Sequence, residues 1–183
     1  RGARAGGALQ LTKAVGTGTL TGALKNDEVA YAGLGEGLAS MSAVNRLDLP
    51  DDLRAAVHAA TDVTGFGVAG HALHLAHGSD VTLRIGAGAV PLLAGAAETL
   101  ARGILTKAHR TNTDYVAAHV AGRERLGEVA WWSLVDPQTS GGLLLSVAED
   151  RAEALLAAIR ERFPRAARIG TVVPRGGAAL DLA

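Results

Sequence analysis

The sequence contains no cysteine, and this absence excludes several kinds of chemistry at once. Without a thiol, the 183 residues can form no disulfide, no thiolate nucleophile and no sulfur-ligated metal site. Chains without disulfides are typical of reducing compartments, so we predict a cytoplasmic location. Any chemistry in this chain must therefore use carboxylates, hydroxyls, amides, imidazoles and cations.

Long apolar runs and an excess of one charge are also missing. No stretch approaches the roughly 18 apolar residues that span a bilayer, and no signal-peptide pattern opens the chain. Lys plus Arg and Asp plus Glu each number 18, and no segment gathers basic residues on one predicted face. We therefore expect neither a membrane nor a nucleic acid as a partner, whereas a small polar or anionic substrate is compatible with this surface.

Aromatic residues number six and glycines 24. The core must therefore consist mainly of Ala, Leu and Val, with many close backbone approaches. A single domain of this length buries roughly 70% of its surface on folding. The polar, Gly-rich lead predicts that residues 1–8 are a linker from a missing N-terminal domain, and that 9–183 form one domain.

Strand patterns recur irregularly between helical ones. Apolar runs and alternation predict strands at 9–12, 81–85, 143–147 and 167–173, with a further strand just before Asp62. Because strands and helices do not follow a strict βαβ series, the sequence favours an α/β (α+β) fold, in which helices pack on a mixed β-sheet.

Helical spacing predicts six helices. They are placed at 19–25, at 36–45, after Pro50, at 65–78 with Gly78 as the stop, at 91–103 starting from Pro91, and at 150–163 with Asp150 and Glu153 as a capping-box start. The pattern between 104 and 132 is weak and predicts a long loop with short helices. On an extended segment, Trp131 and Trp132 would point to opposite sides.

The string Asp136-Pro137-Gln138-Thr139-Ser140-Gly141-Gly142 runs directly into the apolar segment 143–147. Pro137 fixes its own φ, and the two glycines permit conformations closed to other residues. The hydroxyls of Thr139 and Ser140 are therefore expected on a held loop. Such a string is compatible with a structural β-turn and with a place where chemistry occurs.

Asp62 is the second notable residue, because a carboxylate lies between a predicted strand and the turn at 65–67. Two roles are open. Asp62 could be one ligand of Mg²⁺, which prefers oxygen donors, or a helix N-cap that accepts from the amides of Thr64 or Gly65. We predict that Asp62 and the turn at 136–142 lie on one rim of the domain.

Three weaker patterns favour structural roles. The segment 16–18 (Gly-Thr-Gly) before a helix could hold a phosphate, but it matches no nucleotide-binding motif and favours a tight turn, with Lys13 beside it. The side chains of His71, His74 and His77 step round a helix and do not converge on a metal. Since no Gly-x-Ser-x-Gly motif occurs, a serine hydrolase is not indicated.

Together these strings resemble one family, the selenophosphate synthetases (selenide, water dikinases) of the aminoimidazole ribonucleotide synthetase-like superfamily, in their C-terminal domain. The resemblance runs almost end to end. The matching strings are Leu11-Thr12-Lys13-x-x-Gly16-Thr17-Gly18, Asn45-Arg46, the segment 60–67 (ATDVTGFG) with Gly70-His71, Val90-Pro91-Leu92, Asn112, the segment 136–144 (DPQTSGGLL) and Ile169-Gly170.

The resemblance implies an activity that converts selenide, ATP and water into selenophosphate, AMP and phosphate, with Mg²⁺ on the polyphosphate. It implies that Asp62 completes a metal site with aspartates of the missing N-terminal domain, and that this chain holds no catalytic residue. The predicted cofactor contacts are Thr64, Asn112, Thr139 and Ser140. The whole protein is expected to be a homodimer, and neither ATP nor Mg²⁺ is expected to bind tightly to this chain alone.

Two positions depart from the family pattern. Residues 105–111 stand where a Pro-Gly-Gly-Thr segment is common, and Ala14 stands where proline is common. Alternatives of the same build are thiamine-phosphate kinase, the ribonucleotide synthetase and the hydrogenase-maturation dehydratase. A non-catalytic binding or dimerisation module is an alternative of another class.

Overall fold

The computed structural model describes residues 1–183, with the backbone alone at position 32. The described residues form seven strands and eight helices. The strands are β1 Ala8–Leu11, β2 Val57–Asp62, β3 Val81–Ile85, β4 Val120–Ala121, β5 Leu143–Val147, β6 Ala167–Pro174 and β7 Leu180–Leu182. The helices are α1 Thr17–Lys25, α2 Gly35–Ser42, α3 Asp51–Ala55, α4 Gly67–Ser79, α5 Ala96–Ala101, α6 Lys107–Val116, α7 Glu128–Val135 and α8 Ala152–Arg162. Within this part of the chain, no helix combines the length and apolar character needed to cross a membrane.

All seven strands join one sheet in the order β2-β5-β1-β6-β3-β7-β4. Pairing is antiparallel from β2 to β3, whereas β7 runs parallel to both β3 and β4. The sheet is therefore mixed and carries helices, which confirms the predicted fold class. Strands β4 and β7 are two and three residues long, too short for the alternation that identifies strands in a sequence.

Two apolar clusters cover the two faces of the sheet. Helices α4 and α7 pack on one face with Leu9, Leu11 and Leu144, and α3 and α8 pack on the other with Leu145 and Val147. Strand β5 is thus buried on both sides, which explains why four of its five residues are apolar. Each fully buried Leu contributes about 1.5–3 kcal/mol relative to exposure, so the start of β5 is held firmly.

The register of the strands brings three chain segments together where β1 and β2 end and β5 begins. Asp62, the last residue of β2, pairs with Leu143, the first of β5. Strand β1 ends beside them, because the amide of Thr12 donates to the Leu143 carbonyl at 3.0 Å and the amide of Leu143 donates to the Thr12 hydroxyl at 2.8 Å. The residues that leave β1 and β2 and those that enter β5 therefore share one rim.

Two predicted helix boundaries are wrong. Helix α4 does not stop at Gly78 but continues to Ser79, and Asp80 closes it in the left-handed region at φ 53°. Pro91 does not start a helix, because Leu92 forms an isolated bridge with Val15 and α5 begins only at Ala96. In both places a tertiary or capping contact prevails over the local residue preference.

The region between 104 and 132, predicted as a long loop with short helices, contains α6 and the first residues of α7, so this prediction is confirmed in part. Helix α6 begins with a capping box in which Thr106 and His109 bond each other's backbone amides. A histidine in place of the usual Glu or Gln gives no recognisable start signal. Trp131 and Trp132 therefore lie on a helix, the first buried and the second partly buried, rather than on an extended segment.

The capping box predicted at Asp150 and Glu153 is absent among the described contacts, because a single 3-10 turn at Glu149–Arg151 precedes α8 and no side chain caps either element. The other predicted strands and helices are confirmed, with ends that move by up to three residues.

The first residues of the chain lie against the domain. Ala3 is buried and its amide donates to the Ser79 hydroxyl at 3.1 Å, while the amide of Gly6 donates to the Val172 carbonyl at 2.9 Å. Strand β1 begins at Ala8, inside the predicted linker. A connection from residues 1–8 to an N-terminal domain stays a prediction.

Candidate functional site

The candidate site is the rim formed by the end of β2 and the turn before β5. The amide of Val63 donates to the Gly142 carbonyl at 2.8 Å, and the amide of Gln138 donates to the Thr64 carbonyl at 3.0 Å. These two hydrogen bonds bind the segment after Asp62 directly to the turn at 136–142. The predicted placement of Asp62 and the turn on one rim is therefore confirmed.

The carboxylate of Asp62 is exposed and forms no hydrogen bond or ion pair with any residue that the structure describes. The N-cap alternative is wrong, because the amide of Thr64 donates to Nε2 of His71 at 3.0 Å and α4 has no side-chain cap. Asp62 is therefore a free carboxylate at a fixed strand end, a position from which it can contact a cation.

His71 fixes the loop that follows Asp62. Its buried Nε2 accepts from the amide of Thr64, and the Thr64 hydroxyl lies 3.0 Å from the same nitrogen. Burial, and then the neighbouring His74, lowers the pKa of His71, while Asp62 acts in the opposite direction. The lowered pKa favours the neutral imidazole, and Nε2 must be unprotonated to accept from the amide of Thr64.

The three histidines of α4 do not converge, as predicted. His74 bonds the Tyr115 hydroxyl at 2.7 Å, whereas the ring of His77 stands against that of His119. Within the described part of the chain, no group of three or more His, Cys, Asp or Glu side chains is placed to hold a metal ion. A metal at this rim would need ligands from elsewhere in addition to Asp62.

The first half of the turn is buried against the start of α1. The carboxylate of Asp136, with 0% exposure, accepts from the amides of Gly18 at 3.2 Å and Thr19 at 2.7 Å. Oε1 of Gln138 accepts from the amides of Gly16 at 3.2 Å and Thr17 at 3.3 Å. The chain's own carboxylate and amide therefore occupy the anion-binding end of α1, and of the two interpretations of 16–18, the tight turn is correct.

Close packing explains why residue 18 is glycine. A Cβ there would collide with the carbonyl oxygen of Pro137 and would approach its Cγ to 2.6 Å. Any larger residue would push α1 away from the turn and lengthen the bonds to Asp136. Gly18 therefore serves helix-to-turn packing and not the approach of a phosphate.

His109 completes this buried cluster, and sequence reasoning missed it. Its Nδ1 accepts from the amide of Thr106 at 3.1 Å, and its Nε2 lies beside Oδ1 of Asp136. That pair is 3.1 Å apart, within ion-pair range but outside hydrogen-bond geometry. We name Asp136, Gln138 and His109 the buried polar cluster. A polar turn and a polar helix give no sign in the sequence that they meet inside the domain.

The second half of the turn faces solvent. Thr139 and Ser140 are exposed, and neither hydroxyl has a hydrogen-bond partner among the described residues. Their backbone is fixed nevertheless, since the amide of Thr139 donates to the Thr17 hydroxyl at 2.9 Å and the Ser140 carbonyl accepts from Nζ of Lys13 at 3.0 Å. Two free hydroxyls on an anchored backbone are preorganised donors.

Thr64 and Asn112 support the same rim. The Asn112 side chain is 4% exposed, and its Nδ2 donates to the carbonyls of Gly65 at 2.8 Å and Val135 at 2.9 Å. Thr64 is half-buried and bonds His71 and Gln138. Both residues connect the loop after β2 to its neighbours, and their predicted contacts with a cofactor stay predictions.

An open groove of about 580 Å³ runs from Thr139 and Gly65 between α1 and α6. Lys25 and Lys107 stand on it, and they are two of the three lysines in the chain. Neither forms an ion pair with a described residue, and no carboxylate lines the groove. Two ammonium groups without ion-pair partners make this groove suitable for binding an anion. Sequence reasoning missed the groove, because the two lysines are 82 residues apart.

Residues 4–183 match the family described as AIR synthase related protein, C-terminal domain. The chain belongs to this family. Among curated relatives, the selenide, water dikinase of Nitrosomonas eutropha is 46% identical over 175 residues, and that of Bdellovibrio bacteriovorus is 48% identical over 178 residues. These alignments cover 94% and 95% of this chain and 50% of each relative. The chain thus spans about half the length of the curated relatives it matches.

Solved structures share the fold of this AIR synthase related domain. The thiamine-monophosphate kinase from Stenotrophomonas maltophilia matches with a TM-score of 0.65 at 21% identity, over 99% of this chain and 51% of that one. The hydrogenase maturation protein HypE in complex with ATP matches with a TM-score of 0.56 at 21% identity, over 99% and 49%. At this identity the likeness concerns the fold alone.

Proposed function

We propose that the longer protein carrying this chain is a selenide, water dikinase, which converts selenide, ATP and water into selenophosphate, AMP and phosphate. The observation that carries the proposal is the free, exposed carboxylate of Asp62 beside the anchored hydroxyls of Thr139 and Ser140. Identities of 46% and 48% to curated selenide, water dikinases support this choice of reaction.

Asp62 fits one ligand of a magnesium site. It offers an oxygen donor that no described residue neutralises, and a hard cation prefers such donors. Magnesium held there would neutralise charge on the polyphosphate of ATP. One carboxylate is not a complete site, so further ligands must come from an N-terminal domain, as the twofold greater length of the relatives permits.

In this proposal, the remaining residues of the rim and the groove bind and orient the phosphates of ATP. Lys25 and Lys107 attract the phosphates into the groove, where the Thr139 hydroxyl donates to a phosphate oxygen. The exposed hydroxyl of Ser140, the next residue of the turn, donates to a second one. Thr64 and Asn112 hold the loop in place at one end of the groove. Closure by the N-terminal domain would exclude water from the transferred phosphoryl group.

We further propose that the whole protein is a homodimer and is located in the cytoplasm.

Asp62→Asn in the whole protein is the direct test. The variant removes the negative charge and keeps the side-chain shape, so selenide-dependent AMP formation should fall at least about a hundredfold, beyond rescue by added magnesium. The matched control is Asp114→Asn, at an exposed position on α6, which should retain full activity. Near-normal turnover of the Asp62 variant would refute the metal assignment. A loss of thermal stability without a catalytic defect would assign Asp62 to the fold.

The alternatives predict different outcomes for the same protein. A thiamine-monophosphate kinase or a HypE-like enzyme would share the fold but show no selenide-dependent AMP formation. A non-catalytic module would show none with any of these substrates.

A further inference from the structure

A second cavity, of about 410 Å³, has Lys13 in its wall and is lined by no residue of the turn at 136–142. The cavity is open to solvent and is lined by the residues after β1, by α2 and by the end of α8 with the loop that follows it. Most of its wall is apolar, formed by Ala14, Ala39, Ala43, Leu93, Phe163 and Pro164. The volume is in the range of sites that bury a small organic molecule.

Positive charge exceeds negative charge on the wall of this cavity. Lys13, Arg162 and Arg165 line it together with a single carboxylate, that of Glu36. Glu36 is already engaged, since it lies 3.4 Å from Arg165 and accepts from the amide of Ala94 at 2.8 Å. Lys13 and Arg162 have no carboxylate within ion-pair distance in the part of the chain that the structure describes.

Lys13 is a buried cation, with 3% exposure. Its Nζ donates to the carbonyls of Ala43 at 2.7 Å and Ser140 at 3.0 Å, which leaves one of its three hydrogens free. Burial, and then the charge of Arg162, lowers the pKa of Lys13. A buried charge without a counter-charge is costly, and an anion between the two cations would remove this cost.

Arg162 is free to provide the second contact. It donates one long hydrogen bond, 3.4 Å to the Val44 carbonyl, and its guanidinium lies 5.7 Å from the centre of the Phe163 ring. Nζ of Lys13 lies 5.8 Å from the same ring centre. An aromatic ring close to both cations suits a ligand that combines a negative group with a flat apolar body.

We propose that this cavity is a binding site for a small organic anion, with its charged group between Lys13 and Arg162 and its apolar body against Phe163 and Leu93. Because Lys13 also bonds the Ser140 carbonyl, an occupant would contact the same side chain that anchors the candidate site. The site is therefore placed to regulate the rim that carries Thr139 and Ser140.

Titrations of the isotopically labelled 183-residue chain test the proposal, followed by amide NMR resonances. The probes are 2-naphthoate, its uncharged analogue 2-naphthalenemethanol, and acetate. We expect saturable binding of 2-naphthoate, with shifts at Ala14 and Ser140, and at least about tenfold weaker binding of the other two, which lack either the charge or the apolar body.

Arg162→Gln is the deciding variant, because Lys13 joins three segments and its replacement would disturb the fold. Arg162→Gln should weaken 2-naphthoate binding at least about tenfold with an unchanged amide spectrum elsewhere. Arg110→Gln, on an exposed position of α6 outside this cavity, is the matched control and should bind normally. Absence of saturable binding, equal binding of 2-naphthalenemethanol, or an unaffected Arg162 variant would each overturn the proposal.

Discussion

The two halves of the turn at 136–142 differ more from each other than their shared polarity suggests. Asp136 and Gln138 are buried and use their side chains on the amides of α1, whereas Thr139 and Ser140 are exposed and use only their backbone. The buried half therefore determines the position of the turn, and the exposed half can contact a ligand. Adjacent polar residues thus have separate roles, and burial decides which role each one has.

Asp136→Asn should have the largest effect on stability. The variant replaces a buried carboxylate that accepts from Gly18 and Thr19 and lies beside His109. An amide accepts only through its oxygen, so one or two charge-assisted bonds are lost, and we expect a decrease of about 3 kcal/mol in the free energy of unfolding. Urea unfolding of the 183-residue chain measures it. A change below about 1 kcal/mol would show that the buried polar cluster does not anchor the turn.

Gly18→Ala should have the second largest effect. The added methyl group meets the Pro137 carbonyl oxygen, which is backbone and cannot rotate away. We expect a loss of about 2 kcal/mol, typical of overpacking. Gly88→Ala is the matched control, since no atom beyond its two chain neighbours lies within 4 Å of the position of its Cβ, and its stability should change by less than about 0.5 kcal/mol. Equal effects of the two variants would argue against close packing of α1 on the turn.

His71 gives a smaller, pH-dependent effect. Its pKa is lowered from 6.5 in the folded chain, so the unfolded chain binds this proton first as the pH falls. The stability that His71 contributes is therefore complete above pH 6.5 and is lost as the pH falls through the folded pKa, by at most about 1.4 kcal/mol per pH unit.

His71→Gln keeps an acceptor for the amide of Thr64 but does not titrate. We expect its free energy of unfolding to decrease less between pH 7.5 and 5.5 than that of the unchanged chain. Urea unfolding at the two pH values measures both. Identical pH dependences would show that His71 is protonated equally well in both states.

Sequence reasoning identified the mixed sheet and the shared rim because each depended on a local pattern. The apolar run 143–147 and the strand ending at Asp62 fix the pairing of β5 with β2, and the rim follows from that pairing. The buried polar cluster could not be found in this way. Its members are polar residues on a turn and on a helix, and only tertiary packing brings His109 to Asp136.

The two errors, at Pro91 and at the start of α6, have different origins. Pro91 has the local properties of a helix start, but the bridge between Val15 and Leu92 holds this segment extended. Helix α6 begins with a Thr106 and His109 capping box, which the usual Glu or Gln rule does not detect. Local preference was therefore reliable in the core strands and unreliable where a distant backbone segment or an unusual capping residue satisfies the backbone.

Ser140→Gly best distinguishes the role of the exposed half of the turn from that of the buried half, although we expect it to have the smallest effect on stability. Ser140 has φ 48°, a conformation that glycine adopts without strain, and its hydroxyl bonds no described residue. Relief of strain and the greater freedom of the unfolded chain oppose each other, so stability should change by less than about 1 kcal/mol. The variant also keeps the hydrogen bond that Nζ of Lys13 donates to the backbone carbonyl of residue 140.

If the Ser140 hydroxyl contacts phosphate as proposed, selenide-dependent AMP formation by the whole protein should nevertheless fall about tenfold. Full turnover with unchanged stability would mean that Ser140 shapes the turn through its backbone alone, and Thr139 would then be the exposed hydroxyl to test.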